Sequence, residues 1–257
     1  MPTRTGYKPG VPCWVDLSSS DLIASTGFYE ELFGWRAEFD PRPEAGAYGR
    51  FTQGGKPVAG IGPTFGDAVP SVWNTYFATD DAESAAERVE LAGGRVVVTP
   101  AQIFGEGSMA VFKDPAGAVF MVWQPGGHYG ARIVNEPVAL CWTALDSHDP
   151  DAQAFYPAVF GWSPRPAGDG AGGEYTEWLL DGRPVAGMRP PGDRFLPDPP
   201  HWLVFFAVAD CDVTVALAED RGGKILQRPQ DLPMGRYAVL ADPQGAVFAA
   251  ITPKIPN

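Results

Sequence analysis

The sequence predicts an α+β fold built by tandem duplication: two similar units, each of two βαβββ modules. The first observation is that FYEELFGW, at 28–35, returns as FYPAVFGW at 155–162. Three more phrases return in the same order. GGKPVAG (54–60) pairs with DGRPVAG (181–187), GGRVVVTP (93–100) with GGKILQRP (222–229), and DPAGAVF (114–120) with DPQGAVF (242–248), at offsets of 127, 129 and 128 residues. Shifts this constant mark a duplicated unit. The third observation is that hydrophobic periodicity in each unit switches twice between strand and helix spacing. The first unit is assigned to 1–125, a linker to 126–136 and the second unit to 137–257, because PGGHYGARIVNEP is rich in turn formers.

VPCWVDL (11–17) reads as a strand, and SSSD supplies cap residues before a helix carrying Ala24, Phe28 and Leu32, widened by Tyr29 and Phe33. In the second unit Asp149 is expected to cap and Pro150 to take the first helical position. Both helices are expected to stop at a glycine, Gly34 and Gly161, and the following Trp35 and Trp162 to pack in a core. Strands follow at WRAEFD, YGRFTQ and KPVAGI. The series then restarts with NTYFATDD as strand, AESAAERVELA as a helix closed by Gly93 and Gly94, and strands at RVVVTP, SMAVFKD and AVFMVW, the last two joined by the turn Asp114–Gly117. Whether modules pair within a unit or between units stays open.

A hydrophobic content of 45% over 257 residues suffices for real cores. The net charge of −12 opposes nucleic acid and anionic membrane partners, which need clustered Lys and Arg. With neither a membrane-length apolar run nor a signal-like start, a cytoplasmic location is expected. Cys13, Cys141 and Cys211 form no CxxC pair and read as buried small residues. No GxSxG is present, and the Gly pairs end helices instead of opening them, so neither a nucleophile elbow nor a phosphate loop is indicated. Of the three histidines, His128 in the linker and His148 beside a cap read as exposed, and His201 is placed at a cleft mouth.

The strand, the capped helix ending FYxxxFGW and the closing strand after DPxGxxF resemble the vicinal oxygen chelate superfamily of glyoxalase I, bleomycin-resistance proteins and extradiol dioxygenases. In tandem layout the chain is similar to glyoxalase/bleomycin-resistance-type proteins often labelled hydroxylases, some of them accessory proteins of anthracycline and other antibiotic pathways. The resemblance implies that the two modules of each unit form a curved mixed sheet with an open cleft, with metal ligands on the first and last strand of each module. Those positions fall on Trp14 and Trp142 (Cys141 on a second count), Gly60 and Gly187, Asn74 and Leu203, and Met121 and Ala249. Of these only Asn74, and Cys141 on the second count, has a ligating side chain, so no metal and no cofactor is predicted.

Strand alternation puts Asp16 on the face of Trp14, where the cleft is expected. It is the candidate catalytic residue or a hydrogen-bond acceptor for a ligand; the alternative is an ion pair with Arg50 or a bond to a backbone group. Ala144 takes its place in the second unit. Asn74 with Tyr76, and Met121 with Trp123, extend an aromatic lining for a flat apolar molecule, or else simply fill the interior. The second unit offers Trp142, Phe205, Met234 and Tyr237, with lower polar content expected, so one principal cleft is assigned to the first unit. The expected function is metal-independent binding of an aromatic or polycyclic small molecule, in drug sequestration or as an accessory to a tailoring enzyme of antibiotic biosynthesis. The alternative is a glyoxalase- or hydroxylase-type enzyme with an unlocated metal or acid–base residue.

Overall fold

The computed structural model describes residues 3–64, 66, 69–147, 149, 151–168, 174–189 and 199–254. The first unit runs β1 (Pro12–Ser19), α1 (Leu22–Phe33), β2 (Arg36–Phe39), β3 (Gly49–Gln53), β4 (Lys56–Pro63), then β5 (Val72–Ala78), α2 (Ala82–Leu91), β6 (Arg95–Ile103), β7 (Gly107–Lys113) and β8 (Val119–Pro125). The second repeats the series as β9 (Leu140–Asp146), α3 (Ala152–Phe160), β10 (Ser163–Gly168), β11 (Glu174–Leu180), β12 (Arg183–Arg189), β13 (His201–Ala207), α4 (Cys211–Asp220), β14 (Lys224–Leu232), β15 (Gly235–Ala241) and β16 (Val247–Pro253).

Helix starts follow their caps. The Asp21 carboxylate accepts from the Ala24 N–H, Asp81 from Glu83 and Ser84, and Asp210 from Val213. At the other end of α1, Gly34 takes the left-handed conformation at φ 70° and its N–H reaches the Glu30 carbonyl. The third helix departs from expectation. Its first residue is Ala152, and the Asp149 carboxylate accepts from the Asp151 N–H at 2.9 Å, while only the Asp149 carbonyl accepts from the Ala152 N–H, at 3.3 Å; Pro150, like His148, lies outside the described residues.

Each unit closes its own eight-stranded sheet, in the orders β2-β3-β4-β1-β5-β8-β7-β6 and β10-β11-β12-β9-β13-β16-β15-β14. Modules therefore pair within a unit, through antiparallel β1–β5 and β9–β13. The helix-bearing faces of the two sheets meet. One core joins α1, Trp35 and Phe51 to Phe206 and Phe248, and a second joins Phe77, Phe112 and Phe120 to α3, Trp162, Trp178 and Trp202. Each core draws mainly on one module of the first unit and one of the second, with Trp73 and Leu140 in the first core and Trp202 in the second reaching in from the neighbouring modules.

The repeated phrases lie in this contact. The Tyr29 hydroxyl donates to the Asp242 carboxylate at 3.1 Å and accepts from Trp73 Nε1 at 2.9 Å. In mirror fashion Tyr156 donates to Asp114 at 3.0 Å and accepts from Trp202 Nε1 at 2.9 Å. The other oxygen of each Asp holds its own DPxG turn, accepting from Gly117 and Ala118 N–H, or from Gln244 and Ala246 N–H. Trp35 donates to the Val138 carbonyl and Trp162 to the Gly10 carbonyl. The FYxxxFGW helix of one unit is clasped to the DPxG turn of the other, so duplication supplies both halves of a reciprocal lock.

The segment read as a linker is pinned rather than loose. Ala131 N–H donates to the Cys13 carbonyl, Arg132 N–H to that of Pro57 and Asn135 N–H to that of Leu140. Among the described residues no helix is long and apolar enough to cross a membrane.

Candidate functional site

The sheet faces turned away from the helices carry two smaller buried clusters, one per unit. In the first, register sets Trp14 opposite Tyr76 and Asp16 opposite Asn74 on β5, Gly60 of β4 on the other flank of Asp16, and Met121 of β8 beside Tyr76. Trp123 joins the same cluster. The six residues expected at a first-unit cleft stand together.

Their hub is Asp16, only 5% exposed. One carboxylate oxygen accepts from the Tyr76 hydroxyl at 2.7 Å and the Tyr48 hydroxyl at 3.2 Å; the other accepts from Asn74 Nδ2 at 2.8 Å. Asn74 also donates to Ser18 Oγ, and Trp14 Nε1 donates to the Tyr48 oxygen at 3.1 Å. Burial lifts the Asp16 carboxyl above its ordinary pKa, opposed by the bonds from Tyr76, Asn74 and Tyr48. Burial, and then the Asp16 charge, raise Tyr48 and Tyr76, so both remain phenols. Arg50 is not the partner of Asp16: its guanidinium pairs with Glu106 at 2.9 Å, since a turn acid serves it at lower desolvation cost.

Tyr48 was missed by sequence reasoning, although Tyr175 repeats it at the 127-residue shift. Its position explains the glycine of the repeated PVAG. A Cβ on Gly60 would lie 2.1 Å from the Tyr48 hydroxyl and 2.7 Å from Asp16 Cβ, and one on Gly187 would lie 1.7 Å from the Tyr175 hydroxyl.

His128 is likewise not an exposed linker residue. Its ring meets Trp14 edge-on at 4.6 Å and Trp123 at 5.7 Å, its carbonyl accepts from Trp123 Nε1, and its Nε2 is buried without a partner. Burial, aided by Arg50 and Arg132, pushes its pKa down to about 3. The signal available was its place in GGHYG, where flanking glycines let the chain fold back; N–H groups of Gly126, Gly127 and His128 bond the β6–β7 turn.

In the second unit Trp142 Nε1 donates to the Tyr175 hydroxyl at 2.7 Å, reproducing the Trp14–Tyr48 pair. Trp142, rather than Cys141, is therefore the structural equivalent of Trp14. The Cys141 thiol points at the Phe205 carbonyl and burial raises its pKa to about 12. Phe205 stands opposite Trp142, and Leu203 opposite Ala144. Met234 sits in the β14–β15 turn at 38% exposure and is absent from the cluster, because the strand ends before it. The expectation of lower polar content fails: Arg189 and Gln227, both 6% exposed, lie beside Tyr237. Tertiary pairing brings them in from β12 and β14, where no equivalence with first-unit site residues pointed. His201 begins β13 opposite Asp146, with Nδ1 at the Pro199 carbonyl.

These residues do not fit a metal at the positions the family resemblance implies. Trp14 and Trp142 are spent on tyrosine hydroxyls, and no ligand side chain fits at Gly60 or Gly187 beneath those hydroxyls. Among the described residues no group of three or more His, Cys, Asp or Glu is placed to hold an ion.

Two paired-module sheets with clefts facing away from a shared helical interface define a tandem glyoxalase-type protein, and the chain belongs to the glyoxalase/bleomycin resistance protein/dioxygenase superfamily. The superfamily model matches residues 13–122 and a glyoxalase-like domain model matches 142–251. The chain is 42% identical over 262 residues to the anthracycline biosynthesis protein DnrV of Streptomyces peucetius, covering 96% of this chain and 94% of that one. It is 40% identical over 259 residues to a Mycobacterium bovis protein provisionally named glyoxylase CFP32, covering 98% of each. Its fold is similar to that of the Mn(II)-bound glyoxalase from Novosphingobium aromaticivorans, with TM-score 0.63 at 18% identity, covering 95% of this chain and 82% of the other.

Proposed function

We propose that the protein binds an aromatic or polycyclic small molecule in the cleft of the first unit without a metal ion, as an accessory to tailoring steps of antibiotic biosynthesis or in sequestration of the product. The observation that carries this reading is the Asp16 hub. A carboxylate accepts about four hydrogen bonds, and Asn74, Tyr48 and Tyr76 supply three of them, leaving one for a phenolic hydroxyl of a ligand. Trp14, Trp123 and Met121 offer the apolar surface for its rings, and His128 stands between the two Trp. The likeness to an anthracycline biosynthesis protein supports a polycyclic, hydroxylated ligand. A raised carboxyl pKa is also what a general base for a phenol needs, so Asp16 is the group on which a catalytic version of this reading would depend.

The test is tryptophan quenching by a hydroxylated anthraquinone such as alizarin, with and without EDTA, beside elemental analysis of the purified protein. Saturable quenching unchanged by EDTA is expected. Quenching abolished by chelation, or a stoichiometric transition metal, refutes the metal-free reading.

A further inference from the structure

The second cleft contains a polar cluster that the first lacks. Its members Arg189, Gln227, Gln230 and Tyr237 correspond to Gly62, Val98, Ala101 and Met109 of the first unit, at shifts of 127, 129, 129 and 128 residues. Three donors converge on one phenol oxygen: Gln227 Nε2 and Gln230 Nε2, each at 2.7 Å, and Arg189 Nη2 at 3.3 Å. A phenol accepts at most two hydrogen bonds and must place its own O–H on an acceptor. As drawn, three donors crowd its two lone pairs, while Gln227 Oε1 is buried with no partner.

Turning the Gln227 amide over balances the set, since the two ends of an amide are assigned from their hydrogen bonds. Tyr237 then donates to Gln227 Oε1 and accepts from Gln230 and Arg189. The Gln227 NH₂ moves into the place now held by the unpartnered oxygen. A buried donor is left over, in a side chain 6% exposed. Such a group is costly to leave unmade and points to an acceptor that none of the described residues provides.

The surroundings are apolar and low. Leu203, Phe205, Val239 and Ile251 are buried around the cluster, and Ala144 and Ala249 stand where the first unit has Asp16 and Met121. Ala144 and Ala249 keep the side chains of the floor small, and Trp142 packs against the same cluster. We propose that this cleft is a second, separate binding site for a planar apolar molecule presenting an acceptor oxygen, which is received by the amide of Gln227 beside the Tyr237 hydroxyl. The adjoining Arg189 guanidinium, 6.0 Å from the Tyr237 ring, favours an ionised oxygen over a neutral one.

The probe is 2-naphthoate, titrated into the full chain by calorimetry and tryptophan quenching. Its control is (2-naphthylmethyl)ammonium, which has the same rings and only donors. Naphthoate is expected to bind at least tenfold more tightly than the ammonium, and Gln227→Met and Tyr237→Phe each to weaken it at least fivefold while thermal melting shows both variants folded. Equal binding of the two probes, or no naphthoate binding, overturns the proposal. Gln227→Met that melts higher with unaltered naphthoate affinity makes the cluster purely structural and overturns it as well. Loss of naphthoate binding on Trp14→Phe, with none on Gln227→Met or Tyr237→Phe, puts the probe in the first cleft and has the same force. Failure of alizarin to bind refutes the first-cleft reading and leaves this result untouched.

Discussion

Replacing Asp16 by Asn separates a folding role from a binding role, and its pH dependence has a definite sign. Burial raises the carboxyl above its ordinary 3.8, so the native state holds the proton more tightly than the unfolded chain does. Stability of the natural protein is then greatest below 3.8 and falls as pH rises through the native value. Each unit of that rise amounts to about 1.4 kcal/mol. Asn does not titrate. Below the native value the neutral carboxyl and the amide are near-isosteres: both accept from Asn74 and donate toward Tyr76, so Asp16→Asn costs about 0.5–1.5 kcal/mol from imperfect bonds. Once pH exceeds the native value that cost shrinks or reverses, because the variant is relieved of the buried charge. Ligand affinity moves the other way: without the carboxylate's free acceptor site, alizarin binding at pH 7 drops about tenfold, which is about 1.4 kcal/mol. The assay is urea denaturation followed by tryptophan fluorescence at pH 4 and pH 7, with quenching titrations alongside. If Asp16→Asn is more destabilising at pH 7 than at pH 4, the donors Tyr48, Tyr76 and Asn74 outweigh burial and the reasoning is wrong. If alizarin affinity is unchanged, Asp16 is only a structural hub.

Tyr156→Phe strands the Asp114 carboxylate and Trp202 Nε1 in the interface and is expected to cost about 3 kcal/mol in denaturant titration; Tyr29→Phe is expected to cost as much, and the two losses to add because they share no partner. The half-buried His128 ring, with its pKa pushed down to about 3 from 6.5, favours the neutral form in the fold, so stability is lost as pH falls below 6.5. The loss reaches at most about 2 kcal/mol at pH 5, and water at the half-open ring offsets part of it; His128→Phe should remove that acid limb, as melting curves between pH 5 and 7 will show. Trp14→Ala removes a ring surface and the donor to Tyr48, and a drop of about 1–3 kcal/mol in alizarin binding is expected by quenching of the remaining Trp.

The chain by itself determined the duplication, the order of elements and the helix ends other than the start of α3, because these depend on local signals. Cap carboxylates such as Asp21 and Asp81, the left-handed glycines Gly34 and Gly161, and strand alternation in VPCWVDL act within a few residues of themselves. The same alternation brought Trp14, Asp16, Asn74, Tyr76, Met121 and Trp123 to one face. It does not reveal partners across long separations. That Tyr29 serves Asp242 and Tyr156 serves Asp114 rests on how two sheets dock, and neither member of a pair carries a mark of the other. Only the fold placed Tyr48 over Gly60 and laid His128 between two Trp. Only the fold, too, gathered Arg189, Gln227 and Gln230 around Tyr237. The physical reason is the range of the forces: hydrogen bonds and packing act over a few ångströms of space, so side chains far apart in the chain become a site only after the sheets have chosen their register.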